Sequence, residues 1–402
     1  MQNNLCDVKG IRAWGAHMGI KSKRRDLALI VSDKPATAAA VFTRNLVCAE
    51  PVKLSRIHVR DGKLQAFVIN SGNANACTGK KGWEGAVAMA ETTAECLGIE
   101  KESVLVASTG IIGEPFPTDK VLNGIRECSE KLSRRNVAGS LAANAILTTD
   151  TFAKEGFTSF KLNGKKINMA GIAKGSGMIH PDMATMLAFI VSDAEISSEL
   201  LNKALKEAVD KTFNMITVDG DTSTNDMVGV MCNGMAENDP ITSEESKEYK
   251  LFAQHLKKLC THLAMLIVSD GEGSTKLVEY RVEKASSEKA ARQIVRTVSD
   301  SNLVKTAIFG TDPNWGRIFA AAGRAGVEFD PDQVDLYFGT NKSVQVLKRG
   351  QPTDHSRAEV KKEMQTSTIT ITLVLNQGDC EAVGWGSDLS YEYVRINAEY
   401  TT

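Results

Sequence analysis

The sequence predicts a layered protein that mixes helices and strands, of the α/β or α+β class. Three observations predict it: apolar runs of strand length that end in turn residues, helical patterns between those runs, and a length that allows a large core. The chain has 402 residues, of which 42% are hydrophobic and 24% are charged. These proportions are typical of an ordinary soluble globular protein, and the length fits two domains or one large one.

Strands are expected where short apolar runs meet turn-forming residues. One such phrase occurs three times, as ALIVSD, AFIVSD and MLIVSD, each time closed by a Ser-Asp pair. The runs lack a clean alternation, which indicates strands that are covered on both faces. The predicted strands are 28–33, 66–72, 104–109, 188–193, 265–270 and 368–375. The repeated phrase could record an internal duplication, but its shortness favours a coincidence of strand-end composition.

Helices are expected between these strands. The segments 84–98, 197–214 and 286–300 place apolar residues three or four positions apart, which is the helical period. The last two follow a Ser-Ser pair with a glutamate close behind, a pattern typical of a helix N-cap. Helices alternating with strands in this way predict the layered architecture.

Charge and cysteine content exclude several classes of protein. The 48 basic and 49 acidic residues give a net charge of −1, so nothing favours nucleic acid or an anionic membrane as the main partner. The eight cysteines form no C-x-x-C pair, and the six histidines have no zinc-like spacing, so free thiols and no metal are expected. No secretion signal and no apolar run of about 18 residues is seen. A cytoplasmic protein is therefore expected.

One segment changes character in its middle. KGSGMIHPDMATMLAFIVSD, residues 174–193, begins as a glycine-rich loop and ends as a buried strand, with Ala184 and Thr185 where the two meet. A threonine hydroxyl needs a base, and the α-amine of an N-terminal threonine, with a pKa of ~7.7–8.0, can supply one. Attack of the hydroxyl on the Ala184 carbonyl, followed by ester hydrolysis, would create that amine. On the residues alone a structural threonine remains the commoner interpretation.

Other motifs are weaker than they look. GEGSTK lacks the spacing of a phosphate-binding loop, and DGDTSTND lacks the glycine that a calcium loop requires. The second motif is expected to be a tight structural turn or part of the wall of a site. We call the junction of Ala184 and Thr185 the seam. His180 lies close to the seam in the chain but is interpreted as a loop residue rather than a base.

The segment GIAKGSGMIHPDMATMLAF resembles the self-processing site of the ornithine acetyltransferase family, also called glutamate N-acetyltransferase. Six further motifs resemble the family in the same order, so the resemblance covers essentially the whole chain. They are NSGNANACTG (70–79), ASTGIIGEPFP (107–117), TVDGDTSTND (217–226), SDGEGSTK (269–276), GTDPNWGRI (310–318) and RINAEYTT (395–402).

The resemblance implies a role for particular residues. Thr185 would be the nucleophile, and a cut between Ala184 and Thr185 would give an α chain, 1–184, and a β chain, 185–402. Thr109 and Gly110 would form the oxyanion hole. The substrate-binding residues implied are Thr148 (with its neighbour Thr149 as an alternative), Lys174, Thr185, Glu272, Asn397 and Thr402.

The resemblance also implies the fold and the reaction. The fold would be a DmpA/ornithine-acetyltransferase-like αββα layered sandwich, with a smaller C-terminal lobe at about 280–402 and an α2β2 assembly. The enzyme would move an acetyl group from N-acetylornithine to glutamate without a cofactor, and acetyl-CoA could serve as a further donor. Two alternatives remain open: a self-processed N-terminal-nucleophile aminopeptidase or amidase, and an uncleaved, inactive binding or scaffold protein.

Overall fold

A computed structural model of the chain describes residues 3–180 and 186–399. This part contains fifteen strands, which form two mixed sheets, and eleven α-helices. The layered, mixed α/β class is therefore confirmed. The strands are β1 (Ile11–Ala16), β2 (Leu27–Phe42), β3 (Lys63–Asn73), β4 (Val104–Ile111), β5 (Lys154–Leu162), β6 (Lys165–Lys174), β7 (Leu187–Ser192), β8 (Ile216–Thr217), β9 (Met227–Cys232), β10 (Leu277–Ala285), β11 (Asp335–Phe338), β12 (Val344–Lys348), β13 (Gln351–Pro352), β14 (Thr368–Val374) and β15 (Cys380–Ser387).

Helices cover the sheets and begin at recognisable caps. The Ser197 side chain accepts a hydrogen bond from Leu200 N, and the Ser287 side chain accepts one from Ala290 N, as the Ser-Ser patterns predicted. The helices are α1 (Glu50–His58), α2 (Gly79–Leu97), α3 (Thr118–Glu130), α4 (Asn136–Ala145), α5 (Ser198–Asp210), α6 (Lys247–Ser269), α7 (Glu288–Ser299), α8 (Asn302–Phe309), α9 (Trp315–Gly323), α10 (Arg357–Met364) and α11 (Tyr391–Glu399).

The first sheet has the strand order β4-β3-β2-β9-β7-β6-β5, and β1 pairs with β2. β6 and β7 are antiparallel, with Lys174 opposite Leu187. β7 and β9 are parallel, with Leu187 opposite Met227. The C-terminal end of β6 and the N-terminal ends of β7 and β9 therefore meet at one edge of the sheet, and this edge carries the candidate site.

Both faces of the first sheet are buried. Every residue of β7 is buried, and its side chains divide between two hydrophobic clusters. Ile190 packs in the cluster that contains Leu201 of α5 and Leu263 of α6. On the other face Phe189 lies against Phe67, with ring centroids 5.3 Å apart. The prediction of strands covered on both faces is confirmed, and it explains why the apolar runs do not alternate.

One predicted strand is wrong. MLIVSD, 265–270, is not a strand but includes the last turn of α6. Buried α6 residues recur three or four positions apart, at Phe252, Leu256, Leu259, Leu263 and Ile267, so the apolar run continues a helical face. Read over six residues alone, that period is hidden. The other five predicted strands lie within or overlap β2, β3, β4, β7 and β14.

The second sheet has the order β13-β12-β11-β14-β10-β15-β8. Its core contains Tyr280 and Val282 of β10 together with Ile294 and Val298 of α7. β8 comes from the chain between β7 and β9, and its Ile216 lies opposite Trp385 of β15. The segment that links two strands of the first sheet thus supplies an edge strand of the second. Among the described helices, none has both the length and the apolar character needed to cross a membrane.

Candidate active site

The described residues that flank the seam lie at the edge where β6, β7 and β9 meet. Ala184 and Thr185 lie outside the described residues, and so does Thr402. The chain is defined on both sides of the seam. On one side β6 ends at Lys174, and on the other the Met186 carbonyl accepts a hydrogen bond from Met227 N at 2.9 Å.

A carboxylate holds the loop that precedes the seam. The Asp219 side chain accepts hydrogen bonds from Met178 N at 2.6 Å and from Ile179 N at 2.9 Å. It also accepts one from Asp221 N at 3.2 Å, which closes a tight turn. These contacts agree with the interpretation of DGDTSTND as a structural turn.

Thr109 and Gly110 lie at the end of β4. Gly110 has a φ of +129°, and a Cβ there would lie 2.3 Å from the carbonyl carbon of Gly72. Only glycine fits this close approach of two backbones. The pairing with β3 is irregular here, because Asn73 pairs with both Thr109 and Ile111. This bulge turns the end of β4 out of the regular ladder.

Lys174 lies beside Thr109. Its side chain is buried, with the residue 8% exposed, and its Nζ is 3.4 Å from Thr109 Oγ1. Burial lowers the pKa of the Lys174 ammonium group, and the negative charge of Asp150 only partly offsets this effect. Thr109 is its one hydrogen-bond partner among the described residues. The structure therefore brings two predicted site residues together and leaves an ammonium group with spare donors.

Thr148 is tied to the same edge through Asp150. The Oδ2 atom of Asp150 accepts a hydrogen bond from Thr148 N at 2.9 Å. Its Oδ1 atom accepts one from Gly175 N at 2.7 Å, directly after Lys174. One carboxylate thus fixes the backbone next to both predicted binding residues. The alternative residue, Thr149, directly follows Thr148 in the chain.

A buried lysine supports this carboxylate. Lys154 Nζ lies 2.6 Å from Asp150 Oδ1 and 2.6 Å from Asp270 Oδ2, and the Lys154 side chain is 0% exposed. Burial acts to raise the pKa of the Asp150 carboxyl, but the charges of Lys174 and Lys154 hold that pKa well below its usual range. Asp150 is therefore ionised at neutral pH, in a network of opposite charges.

Glu272 and Asn397 also meet. Asn397, on α11, donates a hydrogen bond from Nδ2 to Glu272 Oε2 at 2.8 Å. Glu272 N donates to the Ser176 carbonyl at 3.1 Å, which fixes Glu272 against the glycine-rich loop. A Cβ at Gly177 would lie 2.4 Å from Glu272 Oε2, so a larger residue there would displace the carboxylate from this position. The C-terminal helix thus reaches the loop that precedes the seam.

His180 has partners of its own. Its Nδ1 lies 3.2 Å from Thr217 Oγ1, and its Nε2 lies 2.8 Å from Arg296 Nη2. A ring nitrogen that accepts a hydrogen bond from a guanidinium group has its lone pair occupied and is poorly suited to act as a base. These contacts agree with the interpretation of His180 as a loop residue. Among the described residues, no group of three or more His, Cys, Asp or Glu side chains could hold a metal.

Sequence analysis missed four residues of this region. Asp150 and Asp270 each lie two positions from a predicted binding residue, and this closeness in sequence is the signal that could have identified them. Asp226, whose charge acts on the Lys174 ammonium group, ends the DGDTSTND motif, which predicts a turn or a site wall but no particular role for this residue. Nothing in the sequence marks Lys154, because its partner Asp270 lies 116 positions away.

The chain is similar to known proteins along nearly its whole length. The ArgJ family matches residues 12–402. An arginine biosynthesis bifunctional protein ArgJ from Caldanaerobacter subterraneus subsp. tengcongensis is 50% identical over 395 residues, or 98% of this chain and 97% of the relative. A protein of the same name from Staphylococcus epidermidis is 49% identical over 403 residues, or 100% of this chain and 99% of that one.

One solved structure is an ornithine acetyltransferase complexed with ornithine from Mycobacterium tuberculosis. It is 37% identical, it covers 45% of this chain and 96% of that chain, and its TM-score is 0.40. The family match and the two sequence relatives each extend over nearly the full length. The protein therefore belongs to the ArgJ family.

Proposed function

We propose that the protein transfers an acetyl group from N2-acetylornithine to glutamate, which gives ornithine and N-acetylglutamate. It is a glutamate N-acetyltransferase of arginine biosynthesis, with Thr185 as a self-made N-terminal nucleophile. Full-length relatives that are named for arginine biosynthesis support the pathway. The observation that carries the proposal is the buried Lys174 ammonium group, which lies 3.4 Å from Thr109 Oγ1. Thr185 follows Lys174 eleven positions later in the chain.

The first half of the reaction forms an ester. The α-amine of Thr185 takes the proton of its own hydroxyl while Oγ bonds to the acetyl carbonyl carbon. Electrons of the carbonyl bond move to its oxygen, and Thr109 and Gly110 donate hydrogen bonds to that oxyanion; one such donor is typically worth about 10²–10³-fold in rate. The carbon–nitrogen bond then breaks, and ornithine leaves with the proton from the α-amine. An acetyl group remains on Thr185.

The second half reverses these steps with another amine. The amine of glutamate attacks the ester carbonyl carbon, and the Thr185 oxygen leaves and regains its proton. The ester stores the acetyl group by itself, so the reaction as written uses no cofactor. Acetyl-CoA as an additional donor would enter at the first half-reaction and is part of the proposal.

Substrate recognition uses the charged groups around the seam. Lys174 pairs with the α-carboxylate of the substrate, because its buried ammonium group has one hydroxyl partner within the described part of the chain and therefore has donors to spare. Glu272 holds the side-chain ammonium of the donor, and Asn397 fixes the Glu272 carboxylate at 2.8 Å. The ordered backbone at Thr148 adds a further contact. Thr185 and Thr402 complete the proposed binding set.

The cut leaves two chains that share one sheet. β6 belongs to the α chain, 1–184, and β7 to the β chain, 185–402, and the two strands are hydrogen-bonded neighbours. Such pairing supports an α chain and a β chain that stay together after cleavage. We extend this to an α2β2 assembly in the cytoplasm, where the eight free cysteines stay reduced.

N-terminal sequencing of the purified protein tests the nucleophile. A second N-terminus that reads TMLAF is expected in wild type and absent in Thr185→Ala, which should also lose turnover. A fully active preparation in which the chain is intact would overturn the proposal.

Product analysis tests the acyl transfer. Protein incubated with N2-acetylornithine should form N-acetylglutamate only when glutamate is added, and little acetate without it. Acetate release at the same rate with and without glutamate would instead indicate an amidase.

A further inference from the structure

Residues 17–26 form the β1–β2 loop, which has no role in the steps above. The carboxylate of Asp26, which is 0% exposed, accepts hydrogen bonds from three backbone amides of this loop. They are the amides of Met18 at 2.6 Å, Ile20 at 2.8 Å and Lys21 at 3.0 Å. Hydrogen bonds to an ionised acceptor are stronger than those between neutral groups. The loop is therefore held in one conformation, although it contains no helix or strand.

The β1–β2 loop packs against β3 beside the proposed oxyanion hole. A Cβ at Gly72 would lie 2.6 Å from Cγ2 of Ile20, so loop and strand are in close contact. In the register of β3 and β4, Gly72 lies opposite Gly110. The preceding residue of β3, Ser71, lies opposite Thr109. The loop thus contacts the strand that pairs with both predicted oxyanion-hole residues.

Lys21 joins β3 to the segment directly before Thr148. Its Nζ donates hydrogen bonds to Ser71 Oγ at 2.5 Å and to the Leu147 carbonyl. A third hydrogen bond reaches the Arg25 carbonyl at 3.0 Å. An ammonium group has three N–H donors, and these three acceptors use all of them. Lys21 therefore has no donor left for a ligand and connects two parts of the site instead.

Arg24 holds the same segment from the solvent side. Its Nη1 atom lies 3.2 Å from the Thr148 carbonyl oxygen and 3.1 Å from that of Asp150. The amide of Thr148 donates to Asp150 Oδ2 at 2.9 Å, so both backbone polar groups of Thr148 are engaged. Its hydroxyl lies 3.4 Å from the same Oδ2 atom and keeps its lone pairs. The hydroxyl is therefore the group of Thr148 that can accept a hydrogen bond from substrate.

We propose that Lys21 and Arg24 are positioning residues that hold Thr148 at a fixed distance from β4, the strand of the proposed oxyanion hole. This inference rests on the proposed function, in which Thr148 contacts substrate. Substrate that is bound at Thr148 then has its acetyl carbonyl placed at the end of β4. A misplacement of about 1 Å can lower the rate about 100-fold, so the length of this connection matters for catalysis.

The test is a double-mutant cycle between Lys21→Met and Thr148→Ala, measured as kcat/KM for N2-acetylornithine with glutamate as acceptor. Each single replacement should lower kcat/KM about tenfold, the loss expected for one hydrogen bond to substrate, because a misplaced contact is a lost contact. The double variant should lose about 10- to 30-fold, since Lys21 has nothing left to position once the Thr148 hydroxyl is gone. Independent losses would multiply to about 100-fold.

Arg24→Gln repeats the test at an exposed position, where the fold is not at risk. It removes the contacts with two carbonyls, so KM for N2-acetylornithine should rise about two- to tenfold. In Thr148→Ala protein the same replacement should leave KM unchanged. A residue that only stabilised the fold would lower activity equally in both backgrounds.

Lys23→Gln is the matched control. Lys23 is exposed in the same loop and carries the same charge. Within the described ranges it has no hydrogen-bond or ion-pair partner. Its replacement should leave kcat and KM within about twofold of wild type.

Losses that multiply in the double variant overturn the inference, because Lys21 would then act independently of Thr148. If Lys21→Met does not fold, the cycle of Arg24→Gln with Thr148→Ala decides alone, and multiplying losses there overturn the inference in the same way. An equal rise of KM in Lys23→Gln and Arg24→Gln also overturns it, because the charge of the loop would then matter rather than its hydrogen bonds. Wild-type protein that is cleaved but forms no N-acetylglutamate overturns the proposed function instead, and this is measured before any variant.

Discussion

Two buried lysines occupy neighbouring strands and have opposite surroundings. Lys154, which begins β5, lies opposite Ala173 on β6, directly before Lys174. Lys154 contacts two carboxylates at 2.6 Å, whereas Lys174 contacts one hydroxyl at 3.4 Å. The positive charge of Lys154 is balanced by two carboxylates of the protein itself. The Lys174 ammonium group has no carboxylate in direct contact among the described residues. The difference separates a residue that builds the site from one that is available to substrate.

The two lysines also differ in what burial costs them. The charges around Lys154 are balanced inside the protein, and removing one partner of such a group is strongly unfavourable. For Lys174 the burial cost is offset only in part, which is why its pKa is lowered. A carboxylate of the substrate would supply the missing charge. Stability and activity should therefore respond in opposite ways to replacement of the two residues.

The largest effect is expected from Lys154→Met. It removes the cation that contacts both Asp150 and Asp270, which should lower the free energy of unfolding by about 3–5 kcal/mol. Urea denaturation monitored by circular dichroism would measure this. The control is Lys53→Met, which breaks an exposed pair with Glu50 at 2.7 Å and should cost at most about 1 kcal/mol. Equal losses in the two variants would contradict the structural role of Lys154.

Lys174→Met should have the reverse profile. Loss of one charge-assisted contact with substrate should lower kcat/KM by about 10- to 150-fold, corresponding to about 1.5–3 kcal/mol. The melting temperature should change little, because the cost of burying the charge is removed together with its attraction to Asp150. Steady-state kinetics with N2-acetylornithine and a thermal melt check both. A variant that melts far below wild type would show that Lys174 supports the fold as Lys154 does.

The pH dependence of activity should also depend on Lys174. Its pKa is lowered by burial, so the ammonium group loses its proton below the ordinary lysine pKa of about 10.4. As the pH rises through this lowered value, the substrate carboxylate loses its partner and kcat/KM should fall. In Lys174→Arg, whose side chain stays charged, the alkaline limb should move to higher pH. An alkaline limb at the same pH as in wild type would show that a group other than Lys174 causes it.

The smallest effect is expected at the exposed side of the site. Asn397→Ala removes the 2.8 Å hydrogen bond to Glu272 but leaves both buried lysines intact. One such bond is worth about 0.5–1.5 kcal/mol, so KM for the donor should rise about two- to tenfold with the melting temperature unchanged. A loss as large as that of Lys174→Met would mean that α11 contributes more than the position of Glu272.

The amino-acid sequence predicted those parts of the fold and of the site that depend on short residue patterns. The strands that carry Thr109 and the helix caps at Ser197 and Ser287 were readable from apolar runs and short polar motifs. The run 265–270 was misread because six apolar residues are too few to separate a helix end from a strand. The roles of Lys174 and Glu272 came from family resemblance, since a single lysine or glutamate beside glycines has no pattern of its own.

The network behind the site could not be predicted for a different reason. Lys154 and Asp270 are brought together only by the packing of α6 against β5, and no local motif encodes that contact. Asp226 is similar, because its position level with Met186 follows only from the register of β7 and β9. Three predicted residues, Ala184, Thr185 and Thr402, lie outside the described residues, and their roles stay predictions.

The strand order of the first sheet determines how the two chains of the cleaved protein can dissociate and reassociate. β7 and β9 of the β chain lie side by side between β2 and β6 of the α chain. Separation of the two chains requires the sheet to open, and their reunion becomes a bimolecular reaction. After denaturation, cleaved wild-type protein should therefore refold more slowly at a lower protein concentration. The uncut Thr185→Ala chain should refold at a rate that dilution does not change.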